Sequence, residues 1–207
     1  MTTLSQPETQ RLFIAVELPP EAVSALSKLI HGLRASNLQG MSLVAAKNIH
    51  LTLKFLGNVD EAQVPSLTAA LDDLASKTTS FTLQLGNVGG FPNLKRARVL
   101  LVGLVGHMQR LTTLANLVEG ACEPLGFKRE ERPFTPHLTV ARIRDSASHG
   151  ERRKAGEALT SLPWRSSGTP VPIDSIHLIK STLTPQGPNY ETLHTVALPL
   201  SSQPPLP

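Results

Sequence analysis

Two hydrophobic periods take turns along this chain, one near 2 residues and one near 3.6. Residues 11–18 alternate as a strand does. Pro19-Pro20 then open a helix to about residue 37, with Val23, Leu26, Ile30 and Leu33 at helical spacing. Residues 42–46 and 50–57 read as two strands joined by a short turn at Lys47-Asn48. A helix follows from residue 60 to about 77, placing Val64, Leu67, Leu71 and Leu74 on one face, with Pro65 in its tolerant first turns. The theme then repeats. Residues 81–85 and 98–105 are expected strands separated by a loop over 86–97. Residues 107–123 form an amphipathic helix with Met108, Leu111, Leu114, Ala115 and Val118 inward. A strand over 136–143, a short helix over 151–160 and a strand pair over 173–182 and 191–198 close the chain. Thr184-Pro185-Gln186-Gly187-Pro188 makes that pair a hairpin with a wide loop.

The pattern predicts an α+β fold of two pseudo-symmetric lobes, each an antiparallel sheet with helices outside, around a central cleft. No Gly/Ser linker divides the halves, so residues 1–200 are expected to form one bilobed domain. The start (residues 1–10) and the Pro-rich tail (residues 201–207) read as frayed ends.

Composition narrows the setting. With 40% hydrophobic and 17% charged residues the chain is an ordinary globular one, long enough at 207 residues for a substantial core. The net charge of +4 leans towards anionic partners. Its basic clusters are Lys95-Arg96-Ala97-Arg98, Lys128-Arg129 and Arg152-Arg153-Lys154. A single cysteine, Cys122, excludes an internal disulfide and a thiolate-built zinc site. The N-terminus lacks the basic start and apolar stretch of a signal peptide, and the longest apolar run, 99–106, is too short to cross a bilayer. The expectation is a cytoplasmic protein, away from membranes, acting as a monomer.

The candidate chemistry lies in two matched segments, Asn48-Ile49-His50-Leu51-Thr52-Leu53-Lys54-Phe55 and Thr135-Pro136-His137-Leu138-Thr139-Val140-Ala141-Arg142. A bare His-x-Thr is a weak signal. Here both copies read His-Leu-Thr-aliphatic, both fall in expected strands, and both hold the same place in two similar halves. Residues two apart on a strand share a face, so His50 projects with Thr52 and His137 with Thr139, while Leu51, Leu53 and Phe55 face the core. Imidazole titrates near neutrality, so one histidine can act as general base and the other, protonated, as general acid. The threonine hydroxyls can donate to phosphoryl oxygens. In-line displacement at phosphorus needs a base on the attacking side and an acid at the leaving oxygen. Two histidines supply both with no metal and no cofactor, though spacing alone does not say which is which. A zinc site is disfavoured because neither triplet holds a carboxylate or thiolate. A nucleophilic enzyme is disfavoured because there is no Gly-x-Ser-x-Gly and Cys122 lies on a buried-looking helix face.

These residues resemble the 2H phosphoesterase superfamily, and within it the RNA 2′,3′-cyclic phosphodiesterases, also called 2′-5′ RNA ligase-like (LigT-type) proteins. The likeness covers nearly the whole chain. It runs through residues 11–16, Asn48 to Gly57, Gly90-Phe91-Pro92, Arg98-Val99-Leu100, Arg132 to Arg142, Ser181-Thr182-Leu183 and Gly187-Pro188-Asn189-Tyr190. It implies a hydrolase that opens the 2′,3′-cyclic phosphate at an RNA end to a 2′-phosphate. His50 would be the acid at the leaving 3′ oxygen and His137 the base that activates water, with Thr52, Thr139 and Arg142 binding substrate. The older name reflects the joining of RNA ends through a 2′-5′ linkage. Family members often carry tryptophan where Val44 and Leu101 stand here, a departure that bears on packing more than on chemistry.

Other residues keep two readings. Strict alternation points Arg142 away from the site, whereas a bulge or its long reach would bring it to a phosphate. Lys54 shares the parity of His50 and Thr52 and is either a phosphate contact or a surface lysine. Phe91 and Phe134 are base-stacking or core residues, and Arg96 and Arg98 are RNA-backbone or solvated charges. Two rival functions remain: a phosphodiesterase of a small cyclic nucleotide or of an ADP-ribose cyclic phosphate, and a non-catalytic module gripping RNA ends. Arginine would serve a pure grip better than histidine.

Overall fold

The computed structural model describes residues 9–164, 168–185 and 187–200. The expected tail at 201–207 lies outside them. Thr9 and Gln10, expected to fray, pair in the first strand. Leu12, Ile14 and Val16 alternate along β1 (Thr9–Val16) and enter the main core, while Phe13 and Ala15 are buried on its other face. A strand buried on both faces must lie inside a sheet. β1 indeed pairs antiparallel with β3 (Leu51–Asp60) on one side and β8 (Ser175–Thr184) on the other. β9 (Gly187–Ala197) completes a four-stranded sheet of order β3-β1-β8-β9.

The second sheet has five antiparallel strands in the order β2-β6-β5-β4-β7. They are β2 (Met41–Leu43), β4 (Phe81–Phe91), β5 (Val99–Gly106), β6 (Leu138–Ile143) and β7 (Pro170–Ile173). Four helices, α1 (Pro20–Ala35), α2 (Val64–Ala75), α3 (Met108–Cys122) and α4 (His149–Ser161), bury apolar stripes in one contiguous core shared with both sheets. Asp60 caps the 3-10 turn before α2, accepting from the Ala62 N–H. Ser148 and Glu151 form a capping box that starts α4 two residues ahead of the sequence expectation. The α+β fold of two antiparallel sheets stands.

Three local expectations are corrected. The segment before the first triplet makes no hairpin with β3; a 3-10 turn over Ala46–Asn48 carries the chain between sheets, and β2 pairs with β6. The expected loop over 86–97 is strand as far as Phe91, interrupted where Gly86 and Asn87 drop out of the pairing with β5. The closing hairpin is narrow, because its pairing continues out to Thr184 and Gly187.

The largest correction concerns parity. In the β1–β3 ladder Ala15 faces Thr52 but Ile14 faces Lys54, which leaves Leu53 as an extra, bulged residue. Beyond the bulge the faces exchange. Lys54 turns inward and is buried, whereas Phe55, expected in the core, stands 66% exposed. Lys54 is thus neither a phosphate contact nor a surface lysine. Its ammonium donates to the Glu119 carboxylate at 2.5 Å and to the Lys128 carbonyl at 2.8 Å, tying β3 to α3 and the segment after it. Removing one partner of a buried pair leaves the other charge uncompensated. Lys54→Ala should therefore lower unfolding stability by about 3 kcal/mol in urea melts. The double variant Lys54→Met/Glu119→Leu should recover most of that loss, and recovery of none would mean the pair has no such role.

Candidate active site

β6 carries the same irregularity as β3. Leu101 faces Thr139 and Leu100 faces Ala141, so Val140 is the extra residue. The exchange of faces leaves Leu138, Val140 and Ala141 in the core and puts Arg142 out on the face that carries Thr139. Of the two readings of Arg142, the bulge decides for the one that aims it into the cleft. Thr52 and Phe55 on β3 correspond, position for position, to Thr139 and Arg142 on β6.

Each histidine sits one residue before its strand, and both are anchored alike. The His50 Nδ1–H donates to the Asn48 carbonyl at 2.9 Å, and the His137 Nδ1–H to the Thr135 carbonyl at 2.8 Å. A carbonyl oxygen can only accept, so Nδ1 carries a proton in both rings and the neutral tautomer leaves Nε2 with its lone pair. Neither Nε2 bonds to another described residue. Asn48 holds a second anchor, donating from its side-chain amide to the Pro188 carbonyl at the base of the β8–β9 hairpin, 2.9 Å away.

The two surroundings then differ. The His50 ring stacks on Phe13 (4.5 Å between centroids, 25° between planes) and meets Tyr190 edge-on at 5.2 Å. His137 meets only Phe91, edge-on at 4.9 Å. Burial pushes the pKa of His50 below its ordinary value; the Asn48 carbonyl and the Glu17 carboxylate pull it back up, and the Arg142 charge pushes it down. Arg142 also acts on Tyr190, whose phenol is held above its ordinary pKa chiefly by burial. The β6 strand therefore presents its charge to the first triplet's surroundings. A cavity of about 290 Å³ opens beside His50, its walls including Glu17, Lys47, Asn48, Asn189, Tyr190 and Thr192.

Phe91 is thus a ring partner of His137, while Phe134 packs half-buried against the core. Arg96 and Arg98 are exposed beside the Phe91 loop, with Arg98 3.8 Å from Asp145. In the third basic cluster Arg152 is buried and donates to the carbonyls of Ala97, Arg144, Asp145 and Ala147, a structural tie. Val44 donates its N–H to Val140 and packs on the core, whereas Leu101 stands opposite Thr139 on the cleft side of β5. Cys122 is buried, its thiol pKa pushed up to about 11 by desolvation, which leaves a nucleophile inert at neutral pH. Among the described residues no three His, Cys, Asp or Glu side chains gather as metal ligands would, and no helix is long and apolar enough to cross a membrane. Phe13, Glu17 and Tyr190 were not singled out as site residues from the sequence. Phe13 carries no local signal, being one apolar residue in an apolar strand.

Comparison with known proteins agrees with this duplicated site. The model of the LigT like Phosphoesterase family matches two stretches, residues 16–101 and 102–190, each holding one His-Leu-Thr triplet. An RNA 2′,3′-cyclic phosphodiesterase of Geobacillus stearothermophilus is 36% identical over 93% of this chain, which spans 58% of that longer protein. One from Archaeoglobus fulgidus is 32% identical, over 88% of this chain and 97% of its own length. A solved structure from Thermus thermophilus superposes with a TM-score of 0.76 at 29% identity, covering 92% of this chain and 98% of that one. E. coli LigT complexed with 3′-AMP gives 0.68 at 28% identity, covering 92% and 99%. With the family model matched twice across most of its length, and the two-sheet fold of those structures, the chain belongs to the LigT-like 2H phosphoesterases, a family of hydrolases.

Proposed function

We propose that this protein hydrolyses the 2′,3′-cyclic phosphate at an RNA 3′ end to a 2′-phosphate, by acid–base catalysis from two histidines without a metal. The observation that carries the reading is the matched anchoring of His50 and His137. Each ring is fixed through Nδ1 to a backbone carbonyl, so each has Nε2 left for proton transfer. His137 Nε2 takes a proton from water as the water oxygen attacks phosphorus. The P–O3′ bond breaks, and His50 Nε2–H passes its proton to the departing O3′. Thr52 and Thr139 donate to the non-bridging oxygens, and Arg142 offsets their charge. An RNA 5′-hydroxyl in place of water would yield a 2′-5′ linkage by the same proton transfers.

The acid role asks His50 to hold a proton that burial disfavours. Asn48 and Glu17 work against that burial, and an arriving phosphate anion adds to them. The polarity is the family's, supported here by the position of Glu17 beside His50.

A short RNA with a 2′,3′-cyclic end, assayed in EDTA, tests the reading. Wild type should convert it to a 2′-phosphate end, and His50→Ala or His137→Ala should each lose on the order of 10²–10⁴ in rate. An inactive wild type, or a variant near full activity, would sink the two-histidine mechanism. The residual rate of His137→Ala also tests polarity. With His50 as the acid, that rate should fall as pH rises through the His50 pKa, on the acid side of about 6.5. A residual rate that climbs with pH over this range would make His50 the base.

A further inference from the structure

Phe55 is one of few large apolar side chains left in solvent among the described residues, at 66% exposure. A lone exposed aromatic is ordinary, but this one has a particular place. The Leu53 bulge sets it on the face of Thr52, directly across the ladder from Phe13. Its ring lies 6.2 Å from that of Phe13, which in turn stacks 4.5 Å from His50. A row of three rings therefore leads from the proposed acid to the rim of the cleft. Phe13 is buried at 3% exposure and offers no free ring face. Phe55 is the first phenyl ring in the row that does. Its counterpart after the other bulge, Arg142, is also exposed. An open phenyl face near a phosphate-binding cleft suits a nucleobase, because every base has a π-face and stacking needs no particular sequence.

We propose that Phe55 is a stacking platform for a nucleobase in the RNA segment flanking the terminal nucleotide. This rests on the cyclic phosphodiesterase reading above. The terminal ribose must lie against His50 for its 3′ oxygen to meet Nε2, so a ring two contacts farther out meets the chain as it leaves the site. The enzyme then favours cyclic-ended oligonucleotides over cyclic mononucleotides, with little regard to base identity.

The test compares kcat/KM for a cyclic-ended trinucleotide and for 2′,3′-cyclic AMP in wild type, Phe55→Ala and Phe55→Trp. Phe55→Ala should lower the trinucleotide-to-mononucleotide ratio about tenfold, chiefly through KM for the trinucleotide. Phe55→Trp should keep the wild-type ratio. An unchanged ratio in Phe55→Ala, whether both substrates fall together or neither does, overturns the platform; so does a loss confined to the mononucleotide. A wild type inactive on both substrates overturns the cyclic phosphodiesterase reading instead.

Discussion

Two extra residues, Leu53 in β3 and Val140 in β6, decide what the cleft is made of. A strand repeats every two residues, so without a bulge each side chain's face would follow from its distance to the histidine. Strict alternation from His50 would bring Lys54 into the cleft and bury Phe55. From His137 it would turn Arg142 towards the core. Each bulge gives the core two successive residues, Leu53-Lys54 and Val140-Ala141, and hands the cleft the residue after them. The site is thereby lengthened from a His-x-Thr pair to a His-x-Thr-x-x-X set on both strands. Inward-turned Lys54 would be untenable alone; its bonds to Glu119 and the Lys128 carbonyl make the first bulge compatible with a buried ammonium.

This also marks where sequence reading stops. Helical periods are long and redundant, and residues such as Leu67, Leu71 and Leu74 place α2 without any knowledge of its partners. The shared face of His50 and Thr52 was legible because only one intervening residue had to be counted. Past Thr52 the count failed, since a bulge is a property of two paired strands and one strand's pattern does not carry it. The same holds for β2, whose three residues pair in the sheet opposite to that of the next strand. Gly89 and Gly90 read as loop, yet they lie in β4. A Cβ on Gly89 would come within 3.2 Å of the Leu101 side chain, and one on Gly90 within 3.2 Å of the Val99 carbonyl. Their missing side chains serve close approach of β4 and β5 rather than a turn.

A duplicated scaffold delivers two equal histidines, and equality is a poor basis for acid–base work, which needs one ring to give a proton while the other takes one. Anchoring does not separate them, because Asn48 and Thr135 accept the same Nδ1–H in the same geometry. The difference lies in what surrounds each ring. His50 is enclosed by the Phe13 face and the Tyr190 edge, and it feels Glu17 and Arg142 at once. His137 has one edge-on neighbour in Phe91. Glu17 is itself held, its carboxylate accepting from Thr192 at 2.9 Å on β9, the strand that also carries Tyr190. The residues that break the symmetry at His50 thus come largely from the first strand and the closing hairpin. That hairpin extends only the four-stranded sheet, so only one of the two histidines receives it.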